Sequence, residues 1–429
     1  MIGDSTALPP PGPKGGGRGS MLALYLVLST VGAASILIEN LLHLGAGLAA
    51  LLSFSGVIAA ALLISWGAEA AQFHVSRGFA IAFIAFLQVL PEFMVEADIA
   101  WKQDIPLMFA NATGSNRILI GLGWTLIFFT TDVSSRMRGS GGIRHVALAR
   151  ENIVEVLALA LSSSYYLVII AKRTLAVYDT VILGGIFVLY LALLQRMPTE
   201  GEEQKQELLA PPRALVDIRS GRRRAVAILG IFTLGGCVMG FVADPFVESM
   251  KGLAVSVGVS TFAFVQWVAP LLSEFPEKVT AFYWSRTVRL APMALLNMIA
   301  STVNQYTALV AMIPAVYALS RHDLGAVVPM DARHRSEVFL SFAMTLYGCA
   351  CLLKFRYTRI NAIIMFTLWL VQFVWHWRLP FELPVVGDSP HSLLAWVFIL
   401  LAVIEVLVHV REIEFWGALR HARSLMRRT

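Results

Sequence analysis

Charge is what this 429-residue sequence has least of: Lys, Arg, Asp and Glu together make up 14% of it, where a soluble domain carries about 25%. That shortage excludes an ordinary soluble enzyme. Cysteine is also scarce, with three residues, Cys237, Cys349 and Cys351, each inside an apolar run. The two-residue step from Cys349 to Cys351 puts them on different faces of a helix and fits neither a zinc site nor a redox pair. They read as small packing residues. No HExxH motif occurs, and there is no catalytic His with a nucleophilic Ser and no matched aspartate pair. The longest loop is too short and too charged to be a catalytic domain, so no enzymatic activity is expected. What the chain has in excess is apolar residues, at 57%. Since a helix needs roughly 20 of them to cross a bilayer, an all-α, polytopic membrane protein follows. The net charge of +6 is scattered between the apolar runs. It points to anionic lipid headgroups of the bilayer rather than to nucleic acid.

Residues 1–20, with Pro9 to Pro11 and Gly15 to Gly17, are expected to be a disordered tail. Residues 21–43 read as an extra N-terminal transmembrane helix, retained rather than cleaved as a signal peptide. Eleven further apolar runs follow between about 46 and 410, giving about 12 spans of the bilayer thickness. A charged stretch at 195–224 divides them into units at 44–194 and 225–377, with an extra helix at 378–412 and a basic tail at 413–429. With the N-terminus inside, 24 of the 34 Lys and Arg residues fall on the cytoplasmic side and eight outside. The positive-inside bias therefore places both termini in the cytoplasm, in the cell (inner) membrane.

The two units carry the same punctuation. The first reads LQVLPEFMVEA, with Pro91-Glu92, and then NATGSN from Asn111; the second reads LLSEFPEKVTA, with Pro276-Glu277, and then NMIAST from Asn297. The step along the chain from Pro91 to Pro276 matches the step from Asn111 to Asn297 to within a single position. Each unit holds an odd number of spans, five, so the second copy lies upside down relative to the first. This is the inverted-repeat plan of secondary transporters, whose site lies at the repeat interface near mid-membrane.

In these residues the sequence resembles the cation/calcium exchanger superfamily, which includes sodium/calcium and calcium/proton exchangers. Its repeats pair a G-T-S-x-P-E or G-N-x-P-E helix with a G-N-x-x-G-S-N helix. Gly67-Ala68-Glu69 and Gly258-Val259-Ser260 are further echoes. The resemblance implies two inverted five-helix repeats with one extra helix at each end. It also implies a secondary cation antiporter, calcium exchanged against protons or sodium by alternating access, with no cofactor and inorganic cations as cargo. The pattern departs at Leu87-Gln88-Val89 and Leu272-Ser273-Glu274, where the family has hydroxyls that help to bind sodium. Only Ser273 keeps that capacity. Arg117 and Lys278 also stand where the family is usually apolar. These departures motivate a second reading, a diverged exchanger-fold protein carrying another ion or acting as a membrane scaffold.

The residues have a physical reading of their own. A carboxylate within a span costs about 2.5–3.5 kcal/mol and is usually functional. Glu92 and Glu277 occupy equivalent places, so the pseudo-twofold is expected to make them face each other. Two facing carboxylates need a cation or a proton between them. Each proline also frees a carbonyl, of Leu87 and of Leu272, and such oxygens are hard ligands suited to calcium, sodium or magnesium. Gln88, Glu92 and Glu96 share one helical stripe, as do Ser273 and Glu277. Asn111 with Ser115, and Asn297 with Ser301, are either ligands or packing devices between helices. Lys278 follows Glu274 by four residues, the favourable order for an ion pair, so Glu274 is either neutralised or a ligand. Arg117 points away from the Asn111 stripe, to snorkel or to pair elsewhere.

Overall fold

The computed structural model describes residues 46–71, 77–196, 210–378 and 390–426, with isolated positions between 24 and 34. The expected tail at 1–20, most of the expected helix at 21–43 and the acidic half of the linker lie outside these residues. The first unit folds into α1 (Ala46–Ala71), α2 (Arg77–Trp101), α3 (Ile105–Ile118), α4 (Thr125–Met137), α5 (Ile153–Lys172) and α6 (Val177–Leu194). The charged stretch holds a short helix, α7 (Ala210–Val216), and is not wholly loop. The second unit folds into α8 (Gly221–Ser256), α9 (Thr261–Ser273), α10 (Phe275–Ser285), α11 (Ala291–Asn304), α12 (Val310–Ser320), α13 (Ala332–Leu352) and α14 (Arg359–Arg378). Two more helices follow, α15 (Pro390–Val408) and α16 (Phe415–Met426). Among the described residues seven helical stretches are long and apolar enough to cross a bilayer, α3–α4 and α11–α12 each counting as one.

Local chemistry sets several of these ends. Asp104 accepts from the Leu107 amide at 3.4 Å at the start of α3, and Asp331 from the His334 amide at 2.7 Å at the start of α13. Each side chain satisfies a donor that the first helical turn leaves open. Arg173, at φ 59°, ends α5 in the left-handed conformation.

The repeat is written in the backbone as well as in the sequence. α3 runs into α4 through a π-helical turn at Leu119–Trp124, and α11 into α12 through another at Gln305–Leu309. Each turn begins the same distance along the chain after its asparagine motif, Leu119 after Asn111 and Gln305 after Asn297. The packing exchanges under the same relation: α3 lies on α9 as α11 lies on α2, and α6 lies on α12 as α14 lies on α4. The first helices of the two units, α1 and α8, lie lengthwise against each other.

Two short antiparallel ribbons complete the exchange. β1 (His145–Ala147) pairs with β4 (Arg356–Thr358), and β2 (Thr174–Leu175) pairs with β3 (Val328–Pro329). Each ribbon joins one unit to the other. Counting spans between them places one at each end of the bundle, as an inverted repeat requires.

Candidate cation site at the repeat interface

Pro91 lies inside α2 without ending it, and α2 continues to Trp101. The second copy behaves differently. Pro270 and Pro276 flank a break at Glu274, which closes α9 and opens α10 with φ −91° and ψ 8°. With two prolines six positions apart, the backbone loses two ladder bonds in under two turns and the helix divides. The Glu274 amide donates back to the Pro270 carbonyl at 3.1 Å. The helix break carries Ser273, Glu274, Glu277 and Lys278, all buried, into the interface with the first unit.

Glu92 and Glu96 are joined by one amide: Asn111 Nδ2 donates to Glu92 Oε1 at 3.3 Å and to Glu96 Oε2 at 2.7 Å. The stripe read from the sequence is therefore real for these two carboxylates. The side chain of Gln88 lies outside the described residues. From the second unit, Ser273 Oγ donates to Glu92 Oε2 at 3.1 Å. Ser115 Oγ donates to Glu274 Oε1, which also accepts from Gln305 Nε2 at 2.6 Å, and Lys278 Nζ donates to Glu274 Oε2. Glu274 is the electrostatic neighbour of both Glu92 and Glu277.

Several polar atoms on these helices are buried and unclaimed. Both carboxylate oxygens of Glu277, Glu96 Oε1, Asn111 Oδ1, Ser301 Oγ and both polar atoms of Asn304 have no hydrogen-bond partner. Glu277 lies beside Ser301. Asn297, the counterpart of Asn111, is half-buried, and its Nδ2 makes no hydrogen bond. Native interiors seldom leave so many polar atoms unpaired without a reason. Among the described residues no three His, Cys, Asp or Glu side chains converge into a cage for a metal ion. A cation here would draw on carboxylate, amide and hydroxyl oxygens together, the mixed hard-donor set that calcium accepts.

Arg117 does not snorkel. It is fully buried and pairs with Glu337 of α13 at 2.6 Å, both side chains 0% exposed. Its Nε donates to the Thr113 carbonyl at 3.1 Å and its Nη1 to Gln372 at 3.3 Å, with the Trp267 ring 5.2 Å away. Gln266 Nε2 donates to Glu337 at 2.9 Å, and His391 of α15 lies 3.2 Å from the same carboxylate. Asp179 and Glu405 are paired with Lys172 and Lys354.

Sequence reasoning missed Asn304, Gln305, Gln266 and Glu337. The signal for the first two was present: a polar doublet in an apolar run, two turns past Asn297. Glu337 lies at the edge of its run, where a carboxylate looks solvated, and only packing against α3 and α15 buries it.

A family model described as sodium/calcium exchanger protein matches residues 21–195 and 227–378. Among solved structures, a crystal structure of the H+/Ca2+ exchanger CAX is 28% identical, with a TM-score of 0.84 over 96% of this chain and 100% of that one. The sodium-calcium exchanger NCX_Mj is 17% identical, with a TM-score of 0.50 over 83% and 98% of the two chains. YfkE is 12% identical, with a TM-score of 0.58 over 82% and 99%; at these identities the last two show the fold alone. A search of curated proteins finds no match. The matched segments cover both repeats and most of the chain, and on that ground this integral membrane protein belongs to the sodium/calcium exchanger protein family.

Proposed function

We propose that this protein is a secondary antiporter that exchanges calcium for protons by alternating access, with both termini in the cytoplasm. The observation that carries the reading is the set of buried, unclaimed oxygens on Glu277, Glu96, Asn111, Ser301 and Asn304, drawn from both repeats. A hard divalent cation satisfies such oxygens. Without one, neighbouring carboxylates need protons to relieve their repulsion. Cation entry then releases protons, and proton entry releases the cation, which couples the two fluxes. Similarity along the whole chain to an H+/Ca2+ exchanger supports both ions. So does the sequence, since Leu87, Val89 and Leu272 offer no hydroxyl for sodium. The Lys278 ammonium on Glu274 favours the second reading, a carrier of a different ion.

The test is flux in proteoliposomes. Calcium uptake is expected to follow an imposed pH gradient and to ignore a sodium gradient; the reverse dependence overturns the proton assignment. Glu277→Gln removes a charged ligand, and a loss of about 3 kcal/mol lowers apparent calcium affinity roughly a hundredfold. Flux of another cation with none of calcium would establish the second reading.

A further inference from the structure

The turn that follows α4 reads RMRGSGGIR, from Arg136 to Arg144, and mixes arginine with glycine. Gly141 and Gly142 take φ of 75° and 86°, the left-handed region that glycine enters without strain. At Gly142 a Cβ would lie 2.6 Å from Asp132 Oδ1, so the loop folds tightly over that carboxylate. Across from it, β4 of the other unit runs into α14 at Thr358 and Arg359. Between the two segments lies a cleft of about 370 Å³, lined by residues 141–144 and 358–360.

The donors around this cleft are largely unspent. Arg144 is exposed and has no acidic partner among the described residues. Arg359 gives Nη2 to Asp132 at 2.7 Å and to the Ile143 carbonyl at 3.0 Å, while its Nε and Nη1 donate to no described residue. The amides of Gly141 and Gly142 also donate to no described residue. Asp132 has both oxygens engaged, one by Arg359 and the Ile143 amide, the other by Arg136. The three guanidinium groups of Arg136, Arg144 and Arg359 against the one carboxylate of Asp132 leave two positive charges. Guanidinium groups and open amides suit a phosphate. No lining residue is acidic and Asp132 is committed, so a cationic headgroup finds no acceptor here. The wall of the cleft then turns apolar. From Ile360 onward α14 exposes Ile363, Leu370, Val371 and Val374, positions that share one helical face. In a bilayer that face meets acyl chains, and the cleft stands at its head.

We propose that this cleft holds the phosphate of an anionic phospholipid whose chains lie along the exposed face of α14. Basic pockets between transmembrane helices bind anionic headgroups in this way. Free phosphate shares the headgroup chemistry but leaves the apolar face unused. Because one wall comes from each unit, the bound lipid fastens the two units at this end of the bundle. The site is independent of which ions the protein carries.

The experiment titrates the full chain in neutral detergent with phosphatidylglycerol, phosphatidylcholine or inorganic phosphate and follows thermal unfolding. A ligand that binds the folded state raises the unfolding temperature by mass action. Phosphatidylglycerol is expected to give a saturable rise, and phosphatidylcholine a smaller one at the same concentration. Arg144→Gln removes a charged donor and is expected to raise the phosphatidylglycerol concentration at half-saturation about tenfold. Ile360→Asp sets a carboxylate at the mouth of the cleft and is expected to weaken the lipid to a similar extent. Both side chains are exposed, so folding does not depend on either. Arg223→Gln, which removes an exposed arginine from the start of α8, is expected to leave half-saturation unchanged. Wild-type half-saturation in both cleft variants overturns the proposal. An equal weakening by Arg223→Gln also overturns it, because the attraction would then belong to the basic surface as a whole. Inorganic phosphate that reproduces the full rise overturns the lipid assignment in favour of a free anion.

Discussion

Arg117 and Glu337 show how a charge survives inside a membrane: each is fully buried and each supplies the other's counter-charge. The guanidinium has further acceptors in the Thr113 carbonyl and Gln372, and the carboxylate has a further donor in Gln266. Removing one member strands the other, at a cost of about 3–5 kcal/mol. Glu337→Gln is therefore expected to lower the thermal unfolding temperature sharply in detergent. The double variant Arg117→Met, Glu337→Gln loses both charges together and is expected to recover part of that loss. Additive losses in the double variant would show that the two side chains are not coupled. The drop caused by Glu337→Gln is expected to be the same at low and high salt, because a pair this deeply buried is little screened. The pair was not legible in the sequence, since Arg117 and Glu337 lie in different units and share no spacing rule.

At the scale of elements, the site depends on how closely α3 and α9 approach. Gly114 of α3 faces the backbone of α9, and a Cβ built there would lie 1.9 Å from the Gln266 carbonyl oxygen. Backbone cannot yield as a flexible side chain can, so the two helices would have to separate. Gly114→Ala is expected to destabilise the fold by about 1–3 kcal/mol, the usual cost of overpacking. It should also loosen the Ser115 bond to Glu274, one position further along α3. Thermal unfolding and calcium affinity, measured on the same variant, check both effects; unchanged values would show that the helices tolerate the wider spacing. The glycine of NATGSN was visible in the sequence as part of the family motif. Its reason, contact with a helix of the other unit, was not. The break at Glu274 was also only half legible. Pro276 announced a disturbance, but Pro270 was needed with it to divide α9 from α10.

At the scale of the molecule, the two units are held by contacts that exchange partners across the repeat. At one end of the bundle Asp132, from the close of α4, accepts from Arg359 Nη2 at 2.7 Å, from the Ile143 amide at 2.8 Å and from Arg136 Nε at 3.0 Å. This cluster lies beside the β1–β4 ribbon and ties the first unit to the second. Asp132→Asn removes the charge and part of the acceptor capacity. Hydrogen bonds to charged groups contribute about 1.5–3 kcal/mol, so thermal unfolding in detergent is expected to fall by that order. An unchanged unfolding temperature would show that the ribbon alone holds this end. The sequence by itself determined the membrane class, the two units and their inversion, because apolar run length, span parity and Lys/Arg placement are properties of the chain read in order. It also nominated the carboxylates, asparagines and serines of the two repeat helices, since helical spacing puts them on common faces. Only the tertiary structure decided that Glu274 is held by Lys278, Ser115 and Gln305, and that Arg117 is paired. Those contacts join separate helices, or follow from a helix break, and helical periodicity cannot specify either.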